Sequence, residues 1–259
     1  MNQLESYYNK FNEDKRLNSR HGRVEYQVSM KYIHEYLPKD VSPEQVRILD
    51  VGAGTGRYAI PLSEEGYEVT AVEPVQHNLG RLWQKGSRVI AYKGNALHLK
   101  KCRDDYYDLT ILFGPMYHLK SHEEKRTALE EAKRVTKSGG IIMAAYCMHD
   151  YAVLTYAFKE RHIIECMENG QLDHDFKVHA RSEDLYDYVR IEEIDRLQRE
   201  TGLKREKLYS SDGAANYMRP FLNRLTEEEF EWFVKYQLAV CERPELMGAG
   251  AHVVDILKK

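Results

Sequence analysis

The fold is decided by the stretch Ile48-Leu49-Asp50-Val51-Gly52-Ala53-Gly54-Thr55-Gly56, an apolar run that ends in three closely spaced glycines. The run is typical of a buried strand, and the glycines let the chain turn sharply with no Cβ in the way of a ligand. A helical pattern follows from about Arg57 and stops at Gly66. Strand, glycine loop and helix in this order predict the first unit of a doubly wound sheet, with a ligand at the loop.

Strand-like and helix-like segments alternate from Val46 onward. Seven strands are expected, at Val46–Val51, Tyr67–Val72, Arg88–Tyr92, Asp108–Phe113, Ile141–Tyr146, Lys207–Ser210 and His252–Leu257. Strands that alternate with helices imply crossover units and a parallel sheet covered on both faces. We therefore predict an α/β fold with a doubly wound, mostly parallel, seven-stranded sheet and a helical cap insertion.

The helix boundaries are marked by capping residues. Ser121 with Glu124, and Thr226 with Glu229, have the spacing of a capping box and predict two helix starts. We expect the first of these helices to end at Gly139-Gly140, because glycine commonly terminates helices.

We expect a single domain built from three parts. Residues 1–45 are predicted to be a helical cover, and residues 46–149 with 191–259 to be the ligand-binding core. Residues 150–190 are rich in Tyr, His and acidic groups and lack a clear strand pattern. They are predicted to be a helical lid inserted into the core.

Composition limits the function classes. The 259 residues are 42% hydrophobic, and 38 Lys and Arg against 41 Asp and Glu give a net charge of −3. This balance disfavours a DNA-wrapping or polybasic membrane protein. The polar N-terminus and the absence of a long apolar stretch predict a cytoplasmic protein with no membrane partner. The four cysteines are widely spaced, so we expect reduced, buried thiols and no metal site.

An acid follows the glycine loop at a characteristic distance. Glu73 comes 21 positions after Gly52 and ends the second strand, where its carboxylate can accept hydrogen bonds from ribose hydroxyls. The dinucleotide fingerprint requires a glycine where Arg57 stands, and the third glycine is instead Gly56. A nicotinamide-dependent dehydrogenase is therefore the least favoured alternative.

Residues 48–56 closely resemble motif I of the class I S-adenosylmethionine-dependent methyltransferases. Later motifs of that family follow in order: Val72-Glu73-Pro74, Gly94-Asn95-Ala96, Phe113–Leu119 and Lys137–Gly140. The resemblance implies an enzyme of the EC 2.1.1 class that binds S-adenosyl-L-methionine and releases S-adenosyl-L-homocysteine. Asn95 stands where the family more often has Asp. The cofactor-binding residues implied are Tyr8, Arg16, Asp50, Gly52, Ala53, Gly54, Gly56, Glu73, Pro74, Asn95, Ala96, Phe113 and Gly114.

Methyl transfer is an in-line displacement in which alignment supplies much of the catalysis. A general base is needed only for a nucleophile that arrives protonated. The candidates are His118, whose ordinary pKa is about 6.5, and Tyr117; alternatively, His118 only hydrogen-bonds the loop or the cofactor. Substrate-binding candidates are Tyr117, Tyr146, His149 and Tyr151, although ordinary packing in the lid explains the last three equally well.

The segment FGPMYHL, residues 113–119, resembles a bacterial subgroup that acts on small molecules, so we expect a small-molecule acceptor and no DNA partner. The same fold acting on tRNA, rRNA or protein is a second hypothesis. It is disfavoured because residues 150–200 carry more acids than bases, but RNA stays open. Arg16 lies in a basic cluster that could bind the cofactor carboxylate, contact RNA or simply face solvent. A non-catalytic, cofactor-binding regulatory protein is a third hypothesis.

Overall fold

The computed structural model describes Glu5, residues 19–181 and residues 183–259. Tyr8 and Arg16, both predicted to bind the cofactor, lie outside the described residues. A seven-stranded sheet in the order β3-β2-β1-β4-β5-β7-β6 forms the centre, which confirms the predicted fold class. The strands are β1 Arg47–Val51, β2 Glu68–Glu73, β3 Ile90–Lys93, β4 Tyr107–Leu112, β5 Thr136–Cys147, β6 Lys204–Ser210 and β7 His252–Lys258. The first five strands are parallel, and β7 lies antiparallel between β5 and β6.

Helices cover both faces of the sheet. They are α1 Arg20–Tyr36, α2 Ala59–Glu64, α3 Gln76–Gln84, α4 His122–Val135, α5 His149–Ala152, α6 Ile163–Glu168, α7 Ile191–Thr201, α8 Arg219–Leu222, α9 Glu227–Val240 and α10 Pro244–Met247. Successive strand residues point to opposite faces. Ile48 accordingly packs in one core with α1, α2 and α9, and Leu49 packs in a second core with α4 and α7.

Both predicted capping boxes are present. Ser121 accepts a hydrogen bond from the Glu124 amide, and Thr226 accepts one from the Glu229 amide. The expected end of α4 at Gly139-Gly140 was wrong, because the helix ends at Val135. Thr136 has an extended backbone and pairs directly with Tyr107 of β4, so the chain enters β5 without a loop. The two glycines lie within β5.

Residues 150–190 combine short helices with irregular chain, and the described part of this segment contains no strand, as expected. A π-helical stretch, Val153–Lys159, follows α5, and its Val153 and Ala157 form a small core with Cys166 and Leu172. The division of the chain into cover, core and lid stays a prediction. Within the described residues, no helix is both long and apolar enough to cross a membrane.

The topology brings several loops to one edge of the sheet. β1 and β4 are neighbours near the centre of the sheet. The sheet continues from β1 through β2 on one side and from β4 through β5 on the other, so the strand order reverses between β1 and β4. Ligands of open α/β sheets bind at such a reversal, beyond the carboxyl ends of the strands. Cys147 at the end of β5 pairs with His252 at the start of the antiparallel β7, so His252 lies at this edge too.

Candidate functional site

A cavity of about 280 Å³ lies at this edge, between the loops that follow β1, β2, β3 and β4. Most of the residues selected from the sequence line it: Asp50, Gly52, Ala53, Gly54, Glu73, Pro74, Asn95, Ala96, Phe113, Gly114, Tyr117 and His118. These positions span much of the first half of the chain. The parallel topology explains their convergence, because each lies at or just beyond the carboxyl end of a strand.

Glu73 ties the glycine loop to the end of β2. Its Oε2 atom accepts a hydrogen bond of 2.8 Å from the Gly54 amide, and its Oε1 atom accepts from the Val75 amide at 2.9 Å and from Asn78 Nδ2 at 3.3 Å. Gly54 has a φ of +56°, and an added Cβ would meet no atom within 4 Å. Glycine is thus required here by backbone conformation, and the open space beside it belongs to the cavity.

The glycine loop also contacts the segment after β4. An added Cβ at Gly52 would lie 2.9 Å from Pro115 Cδ. A larger residue at position 52 would therefore push apart the two loops that flank the topological reversal. Gly56 does not line the cavity. An added Cβ at this position would lie 2.7 Å from Ile60 Cδ1, at the start of α2.

Asp50 contributes a buried carboxylate to the cavity wall. It is 2% exposed, and its Oδ2 atom has no hydrogen-bond partner within the described part of the chain. Burial, together with the nearby Glu73 carboxylate, raises the pKa of Asp50 to about 7. An unsatisfied buried polar atom is costly and rare in native proteins, so this oxygen is suited to a ligand group that donates a hydrogen bond or carries positive charge.

These features fit S-adenosylmethionine. The ribose diol of that molecule can donate hydrogen bonds to Glu73, and its positively charged groups suit the unsatisfied oxygen of Asp50. The glycine loop leaves room for the ligand beside the backbone. Asn95 is exposed, and its Oδ1 atom accepts a 3.0 Å hydrogen bond from the Leu97 amide, so the side-chain oxygen is used within its own turn.

His118 and Tyr117 are both held by the backbone. His118 Nδ1 lies 3.0 Å from the Leu185 carbonyl, to which it donates, and the ring stacks on Tyr186. The Tyr117 hydroxyl donates to the Phe113 carbonyl at 2.7 Å. Burial lowers the pKa of His118 to about 4, so the imidazole is neutral at neutral pH and is a weaker base than its ordinary pKa of about 6.5 indicates. The role of His118 as general base stays a prediction.

The other substrate-binding candidates do not line the cavity. Tyr146 is 1% exposed and packs within the core. His149 Nε2 accepts a hydrogen bond from the Val178 amide at 2.9 Å, and Tyr151 packs edge-to-face on Tyr217. All three residues lie near or just beyond the end of β5, as expected for the rim of the sheet. Each side chain, however, packs against other residues or makes a local hydrogen bond.

Several cavity residues were missed by the sequence analysis, above all Glu25 of α1, Arg57 and Tyr58. Arg57 and Tyr58 directly continue the glycine loop, so their position in the sequence was a usable signal. Arg57 also lies over the Tyr26 ring, with the guanidinium carbon 4.1 Å from the ring centroid. Glu25 had no such signal, because only the packing of α1 brings it to the cavity.

The part of the chain that contains these residues is similar to known methyltransferases. A methyltransferase-domain family model matches residues 49–144. The chain is 35% identical over 107 residues to the demethylmenaquinone methyltransferase of Renibacterium salmoninarum, covering 40% of this chain and 42% of that protein. It is 28% identical over 124 residues to the glycine/sarcosine/dimethylglycine N-methyltransferase of Actinopolyspora halophila, covering 44% of this chain and 21% of that protein.

The chain therefore spans less than half the length of these curated relatives. A solved structure of an S-adenosylmethionine-dependent methyltransferase from Thermotoga maritima is similar over the whole of both chains, with a TM-score of 0.60 and 20% identity, which establishes the shared fold. The resemblance of residues 113–119 to a small-molecule subgroup stays a prediction. The matched region contains both the glycine loop and Glu73, and residues 49–144 are therefore identified as a methyltransferase domain.

Proposed function

We propose that this protein is an EC 2.1.1 enzyme that transfers the methyl group of S-adenosylmethionine to an N, O, S or C atom of a small molecule. The observation that carries the proposal is the Glu73 carboxylate bound to the Gly54 amide on the wall of a cavity, with the unsatisfied Asp50 oxygen beside it. S-adenosylmethionine carries both a ribose diol, which can donate hydrogen bonds to Glu73, and positive charge, which suits the Asp50 oxygen.

The bound cofactor would supply a methyl group on a positively charged sulfur. In this mechanism Glu73 binds the ribose, and Asp50 stabilises positive charge when it is ionised. Phe113 and Ala96 contribute apolar wall that excludes water from the reacting atoms. Tyr117 and His118 are fixed by hydrogen bonds to backbone carbonyls and would orient the acceptor.

Residues 150–190 would act as a lid over the acceptor side. The proposal is supported by two hydrogen bonds that join this segment to the loop after β4. The Asp187 amide donates to the Tyr117 carbonyl at 2.8 Å, and His118 donates to the Leu185 carbonyl. A small acceptor also agrees with the names of the relatives, whose acceptors are a quinone and small amino acids.

Incubation of metabolite, RNA and protein fractions with a methyl-labelled donor tests this function. We expect label in the low-molecular-weight fraction. A Gly54→Leu variant should remove it, whereas Gly86→Leu, which changes a glycine of similar conformation outside the cavity, should not. Label only in RNA or protein would contradict the small-molecule acceptor, and donor binding without any transfer would support a regulatory protein instead.

A further inference from the structure

Three titratable side chains from distant parts of the chain meet beside the cavity. They are Glu25 of α1, Asp212 after β6 and His252 at the start of β7, and one oxygen or nitrogen atom of each lies within 4.8 Å of the others. Glu25 is also part of the cavity wall. The ring of His252 lies 6.1 Å, between centroids, from that of Tyr117, which lines the same cavity.

Asp212 and His252 form a buried pair. Asp212 is fully buried and accepts hydrogen bonds from the His252 amide at 3.0 Å, from His252 Nδ1 at 2.8 Å and from Asn216 Nδ2 at 2.5 Å. Three donors thus surround this one carboxylate. Both carboxylate oxygens are already used, so the arrangement favours a fixed ion pair over a metal site, with the imidazole held in one orientation beside Glu25.

The charges of this cluster favour a cationic ligand. Burial lowers the pKa of His252, but Cys147, Asp212 and Glu25 outweigh it, and the pKa is raised well above its ordinary value. One imidazolium between two carboxylates leaves a net charge of about −1. Glu25 is the member of this cluster that lines the cavity.

The rest of the described cavity wall does not reverse this sign. The charge of Glu73 offsets that of Arg57, Asp50 is partly protonated because its pKa is about 7, and His118 is neutral at neutral pH. An anionic acceptor would be repelled by such a wall, whereas a cation would be attracted. The wall also contains Tyr58 and Tyr117, and aromatic rings of this kind attract cations.

We propose that Glu25, which lies beside the His252–Asp212 pair, is the acceptor subsite and binds a primary or secondary amine that arrives as an ammonium ion. The inference rests on the proposed methyl-transfer function. The ammonium first gives one proton to the Glu25 carboxylate, which leaves a neutral amine. The nitrogen lone pair then forms the N–C bond to the methyl carbon while the C–S bond breaks, and its electron pair stays on sulfur. The methylated ammonium departs, and Glu25 returns its proton to solvent.

A ¹³C-methyl-labelled donor and a metabolite extract test the acceptor class, because the chemical shift of the labelled carbon identifies the atom to which it is bonded. Wild type should yield N-methyl products. Glu25→Gln should slow labelling about 100-fold, as expected for loss of a positioned proton acceptor, and should leave donor affinity within about threefold. Glu35→Gln is the matched control, because Glu35 lies on the same helix, pairs with Lys31 and Lys207, and is not a cavity residue.

Products methylated on O, S or C would overturn the inference, as would a Glu25→Gln variant as fast as wild type. Glu25→Asp, which keeps the carboxylate, should recover part of the rate and so separates loss of charge from loss of folding. A wild-type protein that does not bind the donor would overturn the proposed function, and this inference with it.

A second readout does not depend on turnover. In ¹⁵N NMR titrations of the imidazole, Glu25→Gln should lower the pKa of His252 by at least about half a unit, because it removes one of the carboxylates that stabilise the imidazolium. Glu35→Gln should leave that pKa unchanged. An unchanged His252 in the Glu25→Gln variant would contradict the cluster itself.

Discussion

The Gly54 amide and the Glu73 carboxylate are joined by a hydrogen bond of 2.8 Å, which links the loop after β1 to the end of β2. Two features of the sequence 19 residues apart are thus one structural unit. The carboxylate is held by protein donors before any ligand is bound. Such preorganisation reduces the cost of ordering a side chain on binding.

Replacing Glu73 with Gln should weaken S-adenosylmethionine binding at least about tenfold, since hydrogen bonds to a charged acceptor are worth more than those to a neutral one. Isothermal titration calorimetry measures the affinity. Glu68→Gln, at the other end of the same strand, is the control and should bind like wild type. Equal affinities for the two variants would show that Glu73 does not contact the ligand.

The second prediction compares Gly54→Leu with Gly86→Leu. Both glycines have a positive φ, of +56° and +66°, and both would place an added Cβ in open space. Each variant should lose about 1–2 kcal/mol of unfolding free energy from the left-handed backbone, measured by urea denaturation. Only Gly54→Leu should abolish donor binding, because only Gly54 faces the cavity. Unchanged calorimetric affinity in that variant would contradict the proposed site.

Asp50 should make stability depend on pH. Its pKa is about 7 in the folded protein, compared with about 3.9 in an unfolded chain. Between these values the folded state binds more protons, so the stabilising contribution of Asp50 is full below about pH 4 and is lost as the pH rises through 7. Asp50→Asn should therefore gain roughly 2–4 kcal/mol of unfolding free energy over wild type between pH 4 and pH 8.

Urea titrations of the ligand-free protein across this pH range measure that gain. Asp40→Asn, at an exposed position, is the control and should track wild type at each pH. A difference between Asp50→Asn and wild type that stays constant with pH would exclude the raised pKa.

His118→Ala should lower turnover far more than donor affinity. The side chain joins the loop after β4 to residue 185, so its loss should disorder the acceptor side and reduce kcat by about 10- to 100-fold. Steady-state kinetics with the identified acceptor and calorimetry with the donor separate the two effects. Normal values of both would remove His118 from the mechanism.

The wild-type His118 also provides a direct check of its protonation. Burial predicts a titration midpoint of about 4 in ¹H NMR spectra, with the ring neutral at pH 7. A midpoint near the ordinary value of about 6.5 would instead restore His118 as a well-matched general base.

Local patterns in the sequence were sufficient for most of the fold. The strands, the capping box at Ser121 and the acid at Glu73 depend on short-range spacing, and each is present. The end of α4 differs from the prediction, because Gly139 predicts a helix stop whereas Thr136 already pairs with β4. Backbone pairing with a strand distant in sequence overrode the local signal.

The site was less predictable where it depends on tertiary packing. Glu25 precedes the glycine loop by more than 25 residues and reaches the cavity only because α1 packs on the sheet. Asp212 and His252 meet because β6 and β7 run antiparallel, so the end of one lies beside the start of the other. In contrast, Tyr146 lies near the end of β5, as predicted, but its side chain packs in the core. The position of a residue along a strand does not by itself determine which way the side chain points.

A crystal structure of the protein soaked with S-adenosylmethionine would show whether the cavity holds this ligand. We expect electron density for the ligand along residues 52–56, with both ribose hydroxyls about 3 Å from the Glu73 carboxylate, the distance of a hydrogen bond. An empty cavity at saturating ligand, or density for the ligand elsewhere on the protein, would contradict it.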